Sequence, residues 1–377
     1  MEDRIQLAAP NINGNEMKYI NEAFSTNWIG PLGENVEKFE DEMRVYLGAK
    51  HTTALSCGTA ALHMAVKYCD VKPGDTVFCS DVTFVGSCNP IMYEKAKPVF
   101  IDADRESYNM SPRALERALH DAKKSGKLPK AVIIVDLYGL PANYDKIMPI
   151  CEEYAVPVIE DAAEALGSKY QNTPCGKFGD IGILSFNSNK IITSSTGGML
   201  IAKSNEVTSK VKFWATQARE KAYHYEHKEV GHNYRMSNIC AGIGRGQLET
   251  LDQYVQKKKE INKLYREELA NLPIVFEPII NGADPNFWLT VIQIENGARV
   301  DYIKMLEFLE EYNIEARPFW KPMHMQELFR DSEFYADQEG DIVGEELFSK
   351  GLCIPSSTTM TQIEQERVIN TIKKAFK

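Results

Sequence analysis

The run Ile181-Gly182-Ile183-Leu184-Ser185-Phe186-Asn187-Ser188-Asn189-Lys190 continues through 191–195 to Thr196-Gly197-Gly198-Met199-Leu200. It sets a single amine between two apolar segments, 181–186 and 198–202, that read as buried strands. Lys190 has Ser, Asn and Thr for neighbours, and no acidic residue lies within five positions on either side. An amine seated this way can be desolvated and made nucleophilic towards a carbonyl, as Schiff-base chemistry requires. Taken alone, the same run also suits an ordinary loop lysine.

Four other patterns carry potential chemistry. Ser56-Cys57-Gly58-Thr59-Ala60-Ala61-Leu62-His63 runs from a strand end into a helix, and its small residues leave backbone N–H groups open at the positive end of the helix dipole. That is a seat for phosphate or simply a capped helix start; the Gly-Lys-Ser/Thr ending of a Walker motif is missing. Glu160-Asp161-Ala162-Ala163-Glu164-Ala165 closes an apolar strand, so a carboxylate points into the crevice where parallel sheets bind ligands. Such an acid could bind a metal, cap the next helix or pair with a pyridinium nitrogen, and metal is the poorest choice because no further ligands cluster nearby. Val82-Thr83-Phe84-Val85 places an aromatic ring at another strand end, for stacking on a flat ligand or for the core. Gly231 to Asn238 forms a polar and aromatic loop before a small-residue helix. Together the phosphate seat, the acid, the aromatic face and the lysine are what pyridoxal phosphate needs.

These groups must be held by strand ends of one sheet. Apolar strands are expected at 52–55, 76–80, 97–101, 131–135, 156–160, 181–186 and 198–202, with helices between them near 59–69, 112–123 and 143–154. Strands apolar throughout and alternating with helices predict an α/β fold with a mostly parallel sheet of about seven strands, covered on both faces. Two amphipathic helices precede it: the first presents Met17, Ile20, Ala23 and Phe24, and the second presents Val36, Phe39, Met43, Tyr46 and Leu47 before Gly48. A charged helix beyond residue 245 leads to a strand at 287–294 and helices near 300–312 and 360–376. The expected division is a large α/β domain over 1–250, including the N-terminal segment, and a small α+β domain over 251–377.

The 377 residues carry 43 Lys and Arg against 53 Asp and Glu, a formal charge of −10 that argues against a nucleic-acid partner. Any anionic ligand must therefore meet locally placed donors. Eight cysteines without a C-x-x-C pair suit buried reduced thiols. No leader-like N-terminus and no membrane-length apolar stretch is read, so a cytoplasmic location is expected.

The chain resembles the sugar-nucleotide aminotransferases of the DegT/DnrJ/EryC1/StrS family over nearly its whole length. The likeness is carried most specifically by Asn27 to Gly33, Ser56 to His63, Val158 to Gly167, Ser185 to Gly198, Trp214 to Glu220 and His232 to Asn238. It implies fold type I of the pyridoxal phosphate-dependent transferases, the aspartate aminotransferase-like fold. Within the family the wording is nearest to the bacillosamine (PglE-type) and legionaminic-pathway transaminases, through Gly14 to Ile20, Thr216 to Glu220, His224 to His227 and Arg317 to His324.

By this resemblance Lys190 is the Schiff-base lysine, Asp161 keeps the pyridine nitrogen protonated, and Phe84 stacks on the ring. Gly58, Thr59 and Ser185 hold the phosphate, joined by Asn233 from the second subunit of a homodimer. Glu164 stands near the cofactor's 3′-oxygen, where many members carry Gln. The implied substrates are glutamate and a UDP-linked 4-keto-6-deoxy-N-acetylhexosamine; a 3-aminotransferase, a dTDP- or GDP-ketosugar enzyme and a non-catalytic PLP-binding regulator are the alternatives. Members with histidine at the lysine position are dehydratases, so Lys190 favours transamination. Trp28, Arg219, Arg317, Trp320 and His324 are candidate substrate contacts, with Lys228 and Lys321 as further cations.

Overall fold

The computed structural model describes residues 3–377. Its main sheet has eight strands in the order His51–Leu55, Gly198–Ala202, Ile181–Ser185, Val158–Asp161, Val132–Val135, Thr76–Ser80, Lys97–Ile101 and Glu333–Tyr335. Gly198–Ala202 is antiparallel to both of its neighbours, and every other pairing is parallel. The seven expected strands are all present. The eighth, Glu333–Tyr335, has too few residues to show a hydrophobic period, and only its pairing with Val99–Ile101 makes it a strand.

Leu251–Glu268 carries the chain to a second, antiparallel sheet in the order Ile274–Phe276, Thr290–Ile294, Gly351–Ile354 and Arg317–Pro318. Ile261, Tyr265, Leu309, Val368 and Ile372 form its core against three helices. Ile5 also sits in this core and bridges Ile314, so the start of the chain belongs with the smaller sheet rather than the larger. Conversely, Glu333–Tyr335 lies in the large sheet. A cut at 250/251 therefore separates both segments from the sheets they join.

The first helix, Glu16–Ser25, presents a different face from the expected one. Glu16, Tyr19 and Ala23 are buried, whereas Met17 and Phe24 are 52% and 59% exposed. The cause is close approach to Asn238–Leu248. A Cβ at Gly246 would stand 2.6 Å from the Glu16 nitrogen and one at Gly242 3.0 Å from the Tyr19 side chain. The buried Glu16 carboxylate accepts N–H bonds from Asn13 (3.2 Å) and Gly14 (2.8 Å). The second helix, Glu34–Leu47, buries Val36, Phe39, Met43 and Leu47 as expected and stops at Gly48, whose φ of +59° is left-handed. No helix among the described residues is long and apolar enough to cross a membrane.

Candidate active site

Strand periodicity places Glu160 and Asp161 on opposite faces of the sheet. Asp161 is buried at the strand end. Its Oδ2 accepts the Ser87 hydroxyl at 2.6 Å, its Oδ1 accepts the Ala163 N–H at 3.1 Å, and Ser87 in turn meets Thr83 Oγ1 at 2.7 Å. Burial raises the Asp161 carboxyl above its usual range, while the Ser87 and Ala163 bonds and the Lys190 charge oppose that rise. Glu160 points the other way and takes N–H bonds from Gly176, Phe178 and Gly179 beside Asp136 and Cys175. Burial drives the Asp136 carboxyl well up and the Glu160 charge adds to it, so this acid pair is a sealed feature of the sheet's reverse face.

Lys190 reaches into the crevice from the loop between Ile181–Ser185 and Gly198–Ala202. Its Nζ lies 3.3 Å from Glu164 Oε1 and 4.0 Å from the centroid of the Trp288 ring, with 13% of the side chain exposed. Glu164 Oε2 accepts the Tyr138 N–H at 2.7 Å. Burial raises the Glu164 carboxyl, opposed by the Lys190 charge and that N–H. Tyr138 can aim its amide there because its backbone is left-handed, at φ +55°, a conformation non-glycine residues avoid unless their surroundings impose it. The imposing contacts are Trp288 and Trp320, stacked beside its ring at 6.4 Å and 6.1 Å, and the Trp320 N–H, which donates to its hydroxyl at 2.9 Å. Trp288 returns to the lysine loop by donating its indole N–H to the Asn189 carbonyl at 2.7 Å.

Opposite the lysine, helix Gly58–Tyr68 begins at Cys57, whose Sγ accepts the Ala60 N–H at 3.3 Å. This turn abuts the neighbouring strands tightly. A Cβ at Gly58 would come 3.0 Å from Ser185 Cβ, and one at Gly198 2.4 Å from the Cys57 carbonyl carbon. Phe84 is 53% exposed, and a Cβ at Gly86 would meet its ring at 2.9 Å.

Gly58, Thr59, Phe84, Asp161, Ser185 and Lys190 thus line one cavity of about 180 Å³. A second, of about 940 Å³, shares the Phe84, Asn189, Trp288 and Trp320 walls and is bordered by Arg317 and Lys321. The first combines a glycine cradle at a helix N-terminus, an exposed ring face, a buried acid and an amine, a donor set that fits pyridoxal phosphate.

Trp28, Arg219, Asn233 and His324 lie elsewhere. Trp28 is 57% exposed, and its carbonyl accepts from Asn238 at 2.6 Å. Arg219 lies over the Tyr225 ring at 4.1 Å, and exposed Asn233 bridges Thr216. His324 is turned into the protein: Nδ1 meets Asp81 at 2.6 Å, Nε2 meets Glu345 at 3.1 Å, and the ring stacks on Phe334 at 4.0 Å. None of the four borders either cavity. Arg317 does, though 2.9 Å from Glu315. Burial disfavours the His324 imidazolium, but the two carboxylates outweigh it and raise its pKa. His324 fails as a cavity contact because Asp81, the residue after the strand Thr76–Ser80, claims it. Nothing in the sequence beside Ser87, Tyr138 or Trp288 marks them as site residues; Trp288 falls within the expected strand at 287–294.

Residues 10–373 match the model of the DegT/DnrJ/EryC1/StrS aminotransferase family. EpsN of Bacillus subtilis (strain 168), whose name places it among the pyridoxal phosphate-dependent aminotransferases, is 49% identical over 377 residues, covering 100% of this chain and 97% of the relative. The GDP-perosamine synthase of Vibrio cholerae is 34% identical over 372 residues, covering 99% of each. A crystal structure of a DegT DnrJ EryC1 StrS aminotransferase from Brucella abortus superposes with a TM-score of 0.89 at 28% identity, covering 97% of this chain and 96% of that one. Sequence, fold and crevice agree, and the chain belongs to the DegT/DnrJ/EryC1/StrS aminotransferase family as a pyridoxal phosphate-dependent sugar-nucleotide aminotransferase.

Proposed function

We propose that this enzyme transfers the amino group of glutamate to C4 of a UDP-linked 4-keto-6-deoxy-N-acetylhexosamine, as a cytoplasmic homodimer serving glycan synthesis of the bacillosamine or legionaminic type. The observation that carries the reading is the pair of joined cavities, with Lys190 in the smaller and two cations, Arg317 and Lys321, bordering the larger. The larger space suits a nucleotide-linked sugar, whose diphosphate those cations can meet. The wording of Gly14 to Ile20, Thr216 to Glu220, His224 to His227 and Arg317 to His324 supports the bacillosamine-type branch.

Gly58 and Thr59 at the helix N-terminus, with Ser185 beside them, would hold the phosphate, and Asn233 from a second subunit would complete the seat. Phe84 would cover one face of the ring, and Asp161, fixed by Ser87 and Ala163, would keep its nitrogen protonated. Bound pyridoxal phosphate supplies the electron sink for charge developing at carbon. Lys190 Nζ takes the proton from Cα of glutamate in one half-reaction and delivers a proton to C4 of the sugar in the other, so one base serves both. Glu164 holds that amine from the side, 3.3 Å away. The Trp288, Tyr138 and Trp320 stack keeps water from one flank of the lysine.

A GDP-linked 4-ketosugar is the second reading, favoured by the 34% identity to a GDP-perosamine synthase. A panel of UDP-, dTDP- and GDP-linked 4-ketosugars offered with glutamate separates the two. The UDP-N-acetyl substrate is expected to give the highest kcat/KM, and a preference for the GDP-sugar would overturn the first assignment.

A further inference from the structure

Lys258, on helix Leu251–Glu268, is buried and has no carboxylate partner among the described residues. Its Nζ donates to the Trp288 carbonyl at 2.8 Å and to the Ser356 carbonyl at 2.7 Å. A buried ammonium without a counter-charge is unfavourable unless its hydrogen bonds do something the fold or the site requires. Both acceptors belong to segments that border the active site. Ser356 Oγ accepts the Thr290 N–H at 2.9 Å, and its own N–H donates at 2.8 Å to the carbonyl of Leu7, which lines the larger cavity. Trp288 borders both cavities and places its ring against Lys190.

Trp288 is held at three points. Its N–H donates to Asn286 Oδ1 at 2.7 Å, its indole N–H to the Asn189 carbonyl at 2.7 Å, and its carbonyl accepts from Lys258. Asn286 is tied in turn to the carbonyls of Glu164 and Leu166 at 3.0 Å and 2.9 Å. The residue between, Phe287, is left-handed at φ +50°, so this turn is not one the backbone adopts unaided. Without a donor at its carbonyl, the Trp288 peptide has no protein partner on that side and the turn has lost one of its restraints.

We infer that Lys258 is a positioning residue for the cofactor lysine: it fixes the Trp288 peptide, and through the indole ring and the Asn189 carbonyl it sets where the Lys190 amine stands. Burial also lowers the Lys258 pKa to about 7, and the charged and neutral amine alike can donate the two hydrogen bonds that hold the peptide. The inference rests on Lys190 being the cofactor lysine. That is checked separately by Lys190→Ala, which loses the visible absorption band of the bound cofactor if the assignment holds.

The test compares wild type, Lys258→Met, Trp288→Phe and the double variant as holoenzymes. In Lys258→Met the pH midpoint of the visible band shifts, and kcat for the glutamate half-reaction falls about tenfold with the KM for glutamate changed less than kcat. In the cofactor-free proteins, the rate at which an acylating reagent labels Lys190, read by peptide mass spectrometry, changes in the same variant. Both effects disappear when Lys258→Met is made in the Trp288→Phe background. A wild-type midpoint and labelling rate in folded Lys258→Met would overturn the inference, as would effects of equal size in the Trp288→Phe background. Should Lys258→Met fail to fold, Lys258→Arg is read in its place. The longer, planar guanidinium cannot take both carbonyls without moving Trp288, so a displaced midpoint supports the inference and a wild-type midpoint overturns it.

Discussion

Lys190 and Lys258 are both held away from solvent, yet they meet opposite surroundings. Lys190 faces a cavity, with Glu164 3.3 Å away and Asp161 in the same lining. Lys258 is closed over and, among the described residues, donates to two backbone carbonyls and to no carboxylate. Neighbouring carboxylates and an open side let an amine exchange protons with a bound substrate. Carbonyls alone hold an ammonium in place and give it nothing to exchange with. A nucleophile is thus set apart from a buried tether by access and by acids, and lysine burial alone does not distinguish them.

The comparison breaks if the two lysines can be exchanged in effect. Lys190→Ala is expected to lower turnover on the order of 10⁴-fold, with loss of the cofactor's visible band. Steady-state assays and a spectrum check this, and a variant that still turns over removes the distinction. Asp161→Ala comes next, at about 10²-fold in single-turnover reaction with glutamate, because the ring nitrogen would lose the acid proposed to keep it protonated. Glu164→Gln keeps the shape and removes the charge beside Lys190. A change in kcat below about tenfold is expected, and a loss as large as that of Asp161→Ala would give Glu164 an essential role.

The pH dependence of stability sharpens the contrast further. The folded pKa of Lys258 is depressed to about 7, whereas an unfolded lysine titrates near 10.5. Below pH 7 both states are protonated and burial of the ammonium weighs fully against folding. Between pH 7 and 10.5 only the unfolded chain keeps the proton, so Lys258 contributes a rise in stability with pH across that window. Denaturant titrations of wild type and Lys258→Met at several pH values should show a flatter profile in the variant.

The smallest effect on chemistry belongs to His324→Gln. Because His324 borders neither cavity, the KM for the sugar should stay within about twofold of wild type. Its raised pKa has the opposite sign from that of Lys258. The stability it contributes is complete below the unfolded value near 6.5 and is lost as pH rises through the folded value. Unfolding at pH 6 should therefore show a loss of about 1–3 kcal/mol in the variant, and less at high pH.

Much of the frame was legible in one dimension. Apolar runs of strand length revealed seven of the main sheet's strands, and the Gly58, Asp161 and Lys190 segments could be read because each lies at a strand end with distinctive neighbours. The misread helix face shows the limit. Met17 and Phe24 had the right spacing, but the burying partner was a glycine-bearing helix more than 200 residues away, which admitted Glu16 and Tyr19 instead. His324 shows the same limit from the polar side, since nothing beside it in the chain announces Asp81.

The sequence by itself determined the α/β alternation, the strand ends that carry the chemistry and the residue types placed there, because these follow from local periodicity and turn chemistry. Tertiary structure alone decided that Glu333–Tyr335 joins the large sheet, that Tyr138 adopts a left-handed backbone between two tryptophans, and that Lys258 pins the residue lying against Lys190. Each of those rests on partners distant in the chain. A short strand, an unfavourable φ and a buried ammonium persist only when such partners offset what local physics opposes.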